Sequence, residues 1–199
     1  MVDWPSTRGR RAASAGLAFA IAAVGCLGLL LSLLAALESA PERSALVDVL
    51  SLYLEVIRTV DLTTTVVISA VSTFVVGSWL WYSFDPAPGA RYSGAGLGGA
   101  TVLLAHLLFG PGFSLWSSAA HYLTGGSLPS GLLTVTGVLD ALVAVFLVSG
   151  VASSYSLVVG AWLTLPAGVL TGWLVAAFDD RVGLFRVGGH DDAGREDTS

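Results

Sequence analysis

One carboxylate stands alone in a long apolar stretch. Asp140 lies within Gly131–Ala152, GLLTVTGVLDALVAVFLVSGVA, which reads as a membrane span. An unpaired carboxylate near the middle of such a span costs about 2.5–3.5 kcal/mol on insertion scales, so it must face protein or water rather than lipid. Its neighbours at helical spacing, Thr136, Gly137 and Ala144, form a small, weakly polar patch among Leu, Val and Phe. Two roles fit this environment: an ion or proton site, or a hydrogen-bonded carboxyl that locks helices together.

His106, toward the end of the apolar run Gly94–Phe109, is the natural partner for Asp140, because carboxylate–imidazole relays carry protons inside membranes. An interfacial histidine is the competing reading. His106 and His121 flank Gly110-Pro111-Gly112 at unequal distances. A hairpin folded there would set them at different depths, which argues against shared axial ligation of a haem. The single cysteine, Cys26, excludes an intrachain disulfide and any cysteine-based zinc or iron–sulfur site within one chain. No metal or cofactor is therefore expected.

A second polar group runs through Asp48, Ser51, Glu55, Arg58 and Asp61 at spacings of three and four, a narrow stripe on an otherwise apolar helix over 44–60. The stripe suits a helix lying along the membrane interface, with Glu55 and Arg58 as a local pair. The alternative is a span whose charged face lines a polar path. Hydrolytic chemistry finds little support. Ser149 precedes Gly150 but lacks the earlier glycine of a GxSG turn, and no second mid-span acid could share a proton with Asp140 as aspartyl catalysis needs. HExxH, P-loop and GxGxxG patterns are absent, so enzyme activity is not expected.

The elements that position these residues follow from composition. The chain has 199 residues, 54% hydrophobic and only 12% charged, with a mean hydropathy of +0.79. Continuous apolar runs of the roughly 20 residues needed to cross a bilayer recur along it. The expected fold is an all-α, polytopic transmembrane bundle of five or six spans plus the amphipathic helix at 44–60. Residues 1–11 form a short N-terminal segment, 12–178 the bundle, and 179–199 an acidic, disordered tail. Arg8, Arg10 and Arg11 precede the run Ala12–Leu37 and place the N-terminus in the cytoplasm of a cell-membrane protein. That run is too long for the hydrophobic region of a cleaved signal peptide.

Leu62–Tyr82 is the next span, closing on the aromatic group Trp79, Trp81 and Tyr82. Gly110-Pro111-Gly112 is the strongest break in the pattern, and Phe113–Leu128 beyond it reads as a short return span, a re-entrant element or a surface helix. Ser153-Ser154-Tyr155 is expected to turn the Asp140 span tightly into a last span, Ser156–Phe178. There Gly160, Thr164, Gly168, Gly172 and Ala176 recur every four residues, a ladder that lets helix backbones touch, and Pro166 predicts a kink.

All nine basic residues are arginine, none is lysine, and fourteen acids bring the formal charge to −5. An acidic, lysine-free balance suits a cell with a salty interior, where carboxylate repulsion is screened over a few Å, and points to a halophilic archaeon. It also excludes nucleic acid, for which a basic surface is needed. The partners that remain are the bilayer, another membrane protein or a second copy. The leading role is a non-enzymatic accessory or structural membrane subunit. The alternative is a small channel or carrier for protons, ions or a small solute that uses Asp140.

Overall fold

The computed structural model describes residues 7–38, 62–87, 89–125 and 134–182. Among them there are four helices and no strand: α1 (Thr7–Glu38), α2 (Leu62–Phe84), α3 (Arg91–Leu123) and α4 (Val135–Val182). Five segments are long and apolar enough to cross a membrane, one in each of α1, α2 and α3 and two, Val135–Val158 and Gly160–Asp179, end to end in α4. The protein is an all-α helix bundle of membrane type. The expected amphipathic helix at 44–60 and the tail beyond Val182 lie outside the described residues.

Two antiparallel pairs make up the bundle, α1 with α2 and α3 with α4. In lipid there is no hydrophobic drive between helices, so close packing of small residues takes its place. On the first pair, a side chain at Gly16 would strike the Phe74 carbonyl and Ser78, and one at Gly77 would strike the Phe19 ring. On the second, Gly94 and Gly98 of α3 meet Gly172 and Gly168 of α4 backbone to backbone, and a Cβ at any of the four would overlap a carbonyl or Val102.

A charged clamp joins the pairs at one end. Arg11 donates to the Asp85 carboxylate (3.1 Å), to the Pro86 carbonyl (3.0 Å) and to the Asp179 carboxylate on α4. Arg8 donates to the Tyr82 carbonyl at 2.8 and 2.6 Å and rests over the Tyr82 ring. These two arginines neutralise the carbonyl end of α2, where negative partial charge gathers. Asp85 itself takes a left-handed backbone (φ 39°) and donates its N–H to the Trp81 carbonyl, closing α2 with an αL cap. Beneath the clamp sits the bundle's small core of Ala12, Ala15, Phe19, Trp81 and Ala176. Arg11 and Asp179 thus belong to the bundle rather than to a separate leader and tail, and the first and last described helices end on the same side.

Two expected turns are not formed. Helix α3 runs straight through Gly110-Pro111-Gly112, so Phe113–Leu123 is its continuation and not a separate span, re-entrant element or surface helix. Pro111 has no N–H for the Leu107 carbonyl four residues back. Ser153 of α4 supplies the missing donor: its hydroxyl donates to Leu107 O at 2.7 Å and accepts from the Gly110 N–H at 3.1 Å. Gly110 makes the approach possible, since a Cβ there would collide with the Ser149 carbonyl. The same contact removes the second turn. Ser153-Ser154-Tyr155 is helical, and α4 is one helix of 48 residues, not a hairpin, continuous also through Pro166. Its serines serve the neighbouring helix, and no glycine or proline among the three compels a turn.

Removing the Ser153 hydroxyl leaves Leu107 O unpaired in an apolar setting, which costs about 1–3 kcal/mol. Ser153→Ala is expected to lower the stability of the purified protein by that amount in thermal or detergent unfolding. In a Pro111→Ala background, where an N–H again reaches Leu107 O, the loss should shrink to a few tenths, and equal losses in both backgrounds would refute the proline-carbonyl account.

Candidate functional site

The α3–α4 seam carries a line of polar side chains, and His106 is its centre. Its Nδ1 lies 2.7 Å from the Ser156 hydroxyl and its Nε2 2.8 Å from the Thr164 hydroxyl. Gly160 lies between those two residues on α4, and a Cβ there would meet the imidazole edge at 2.7 Å, so glycine makes room for the ring. Above it come the Ser153 cap and a Ser114–Ser149 hydroxyl pair at 2.9 Å, both serines buried. Ser149, Ser153, Ser156, Gly160, Thr164, Gly168, Gly172 and Ala176 therefore form one stripe with steps of four, three and four.

The imidazole's protonation state follows from donor counting. Thr164 spends its hydroxyl proton on the Gly160 carbonyl (2.9 Å), so toward His106 it accepts. Nε2 then carries the proton, and Nδ1 accepts from Ser156. This donor pattern fits His106 in the Nε2–H form, with both nitrogens engaged.

Ser156, His106 and Thr164 have the connectivity of a nucleophile, a base and an orienting group. Two parts of such a machine are missing among the described residues. Thr164 stands where a carboxylate would stabilise an imidazolium, and Ser156 lies mid-helix, where backbone N–H groups are already bonded and cannot receive an oxyanion. The arrangement fastens α3 to α4.

Between the helix pairs, away from the clamp, lies an apolar cavity of about 620 Å³. Phe19, Cys26, Ser69, His106, Phe113 and Ser156 are on its wall, so all four helices contribute. No Asp, Glu, Lys or Arg among the described residues lines it.

Depth separates His106 from Asp140. Measured along α4 from the Asp179 clamp at 1.5 Å per residue, the Gly160 level that holds His106 is about 28 Å away, and Asp140 about 58 Å. Asp140 is exposed, near the level where α3 ends, and pairs with neither His106 nor any other described side chain. Thr136, beside it, exchanges a hydrogen bond only with Thr134 (3.3 Å). His106 and His121 sit on one continuous helix about 22 Å apart along its axis, too far to share one macrocycle. Asp48, Glu55, Arg58 and Asp61 lie outside the described residues. Of the ladder, Gly160 and Thr164 hold the imidazole while Gly168 and Gly172 hold the α3 glycines. No group of three or more His, Cys, Asp or Glu capable of holding a metal occurs among the described residues.

The site and fold together define a multi-pass, helical membrane-type protein whose core polar groups bind helix to helix. No protein family, curated protein or solved structure matches the chain.

Nitrogen-15 NMR of histidine-labelled protein is expected to show His106 as the Nε2–H tautomer, with an unprotonated Nδ1. Thr164→Val, which removes the acceptor, should cost about 1–2 kcal/mol of stability and shift that spectrum. A doubly protonated ring in the folded protein would contradict the assignment.

Proposed function

We propose that this chain is a non-enzymatic, structural or accessory subunit of a cell-membrane assembly, with both ends of its bundle in the cytoplasm. One observation carries the subunit reading. From Val135 to Phe178, α4 is apolar over about 66 Å, roughly twice the hydrocarbon thickness of a bilayer. Its first part is exposed all round, with Val135 80%, Leu142 61% and Phe146 77% accessible. A helix apolar on every side needs a covering, and one bilayer crossing covers only half of this length. A partner helix, from another protein or a second copy, supplies the rest.

The use of the seam's polar side chains as fasteners between helices supports the non-enzymatic part of the reading. His106, Ser114, Ser149, Ser153 and Ser156 all direct their side chains into bonds between α3 and α4. The orientation rests on the charged clamp. Arg8, Arg11 and Arg91 gather at the end where the first and last helices meet, and arginine-rich ends stay in the cytoplasm. Asp140 is remote from His106 along α4 and pairs with no other described side chain.

A photo-crosslinking side chain placed at Leu142 or Phe146 is expected to capture a protein, identifiable as a second copy or another chain, while one at Val71 on α2 captures lipid alone. Capture of lipid alone at all three positions, from protein running as a monomer in native nanodiscs, would overturn the subunit reading. In proteoliposomes, proton flux should not exceed that of empty vesicles and should be unchanged in Asp140→Asn.

A further inference from the structure

The cavity between the helix pairs is more than a packing defect. At about 620 Å³ it falls in the size range of small-molecule sites, which are apolar concavities with a few polar groups for orientation. Its walls are built in that way. Phe19, Phe109 and Phe113 supply broad apolar surface. The polar groups are few, uncharged and on opposing helices. On α2, the Ser69 hydroxyl makes no hydrogen bond among the described residues, although the Ser69 carbonyl accepts from Thr73. On α4, Ser156, bonded to His106 Nδ1, also lines the cavity. These two hydroxyls stand among other uncharged polar side chains of the wall, Cys26, Thr73 and Tyr155.

We infer that this cavity binds a neutral amphiphile with a long hydrocarbon body and a single uncharged oxygen head, a carbonyl or hydroxyl held by Ser69 and Ser156. The absence of charge among the described residues of the wall selects the head. A carboxylate or phosphate would lose its hydration with no arginine to replace it, a penalty far larger than that of a hydroxyl. A hydrocarbon with no oxygen would leave the polar points unused. A ligand of this kind partitions into the bilayer and needs no aqueous route. The inference is independent of whether α4 carries a partner, because the cavity lies within one chain.

Three probes of matched length test it: oleyl alcohol, oleate above pH 8, and octadecene, each measured by equilibrium binding to the full chain in nanodiscs against protein-free discs. Oleyl alcohol is expected to bind saturably at about one per chain, with oleate at least about tenfold weaker and octadecene several-fold weaker. Ser69→Ala should bring the alcohol down to the level of octadecene. Ala23→Phe or Ala152→Phe, each filling the cavity from a different helix, should abolish saturable binding while the thermal transition is kept, and whichever variant folds decides the point. Partitioning no greater than into protein-free discs, oleate bound as well as the alcohol, or full binding in a folded cavity-filling variant would each overturn the proposal.

Discussion

In hydrocarbon an unpaired carbonyl has no water to turn to, and the Leu107 carbonyl is left unpaired by Pro111. The Ser153 hydroxyl is what answers it. Much else follows from that bond. It keeps α3 continuous through a Gly-Pro-Gly sequence, brings α4 to within backbone contact at Gly110, and sets the register in which Ser114 meets Ser149 and His106 falls between Ser156 and Thr164. The helix pair is thus specified by polar satisfaction and by the absence of side chains at glycine, the two forces that act between helices when apolar burial offers no gain.

The two ends of the bundle are held by different physics. Near the clamp, Arg11 reaches two carboxylates and a carbonyl, and its half-buried position strengthens those bonds relative to open water. Farther into the bundle the described contacts between helices are uncharged, and α2 still meets α3 where Gly112 packs on Ile68. The cavity lies between the pairs, and the described residues on its wall are uncharged, since a charge there would have to be desolvated with nothing to compensate it.

How far these arrangements could be read beforehand depends on the residue. The helical class, the apolar spans and the small-residue ladder at Gly160, Thr164, Gly168 and Gly172 are visible as local patterns, because bilayer thickness and helical periodicity act on the chain one segment at a time. The two expected turns misled for a shared reason. Gly110-Pro111-Gly112 and Ser153-Ser154-Tyr155 are each turn-like alone, yet each is the other's remedy, and that reciprocity appears only when the helices are side by side. A signal was present all the same: extending the ladder backward from Gly160 through Ser156, Ser153 and Ser149 keeps the helical step unbroken, which a turn would interrupt.

From sequence alone, then, come the membrane composition, the all-α class and the positions of the small and polar residues, since these depend on hydropathy and spacing. Tertiary structure alone decides which polar residues matter. Asp140, the most conspicuous group in the linear chain, lies far from the clamp, exposed and unpaired among the described side chains, whereas His106 and four serines, Ser114, Ser149, Ser153 and Ser156, form the central seam. The physical reason is that depth in a bundle is counted from where helices are anchored. With α4 unbroken, that count begins at Asp179 and not at Gly131, which carries His106 inward and Asp140 out.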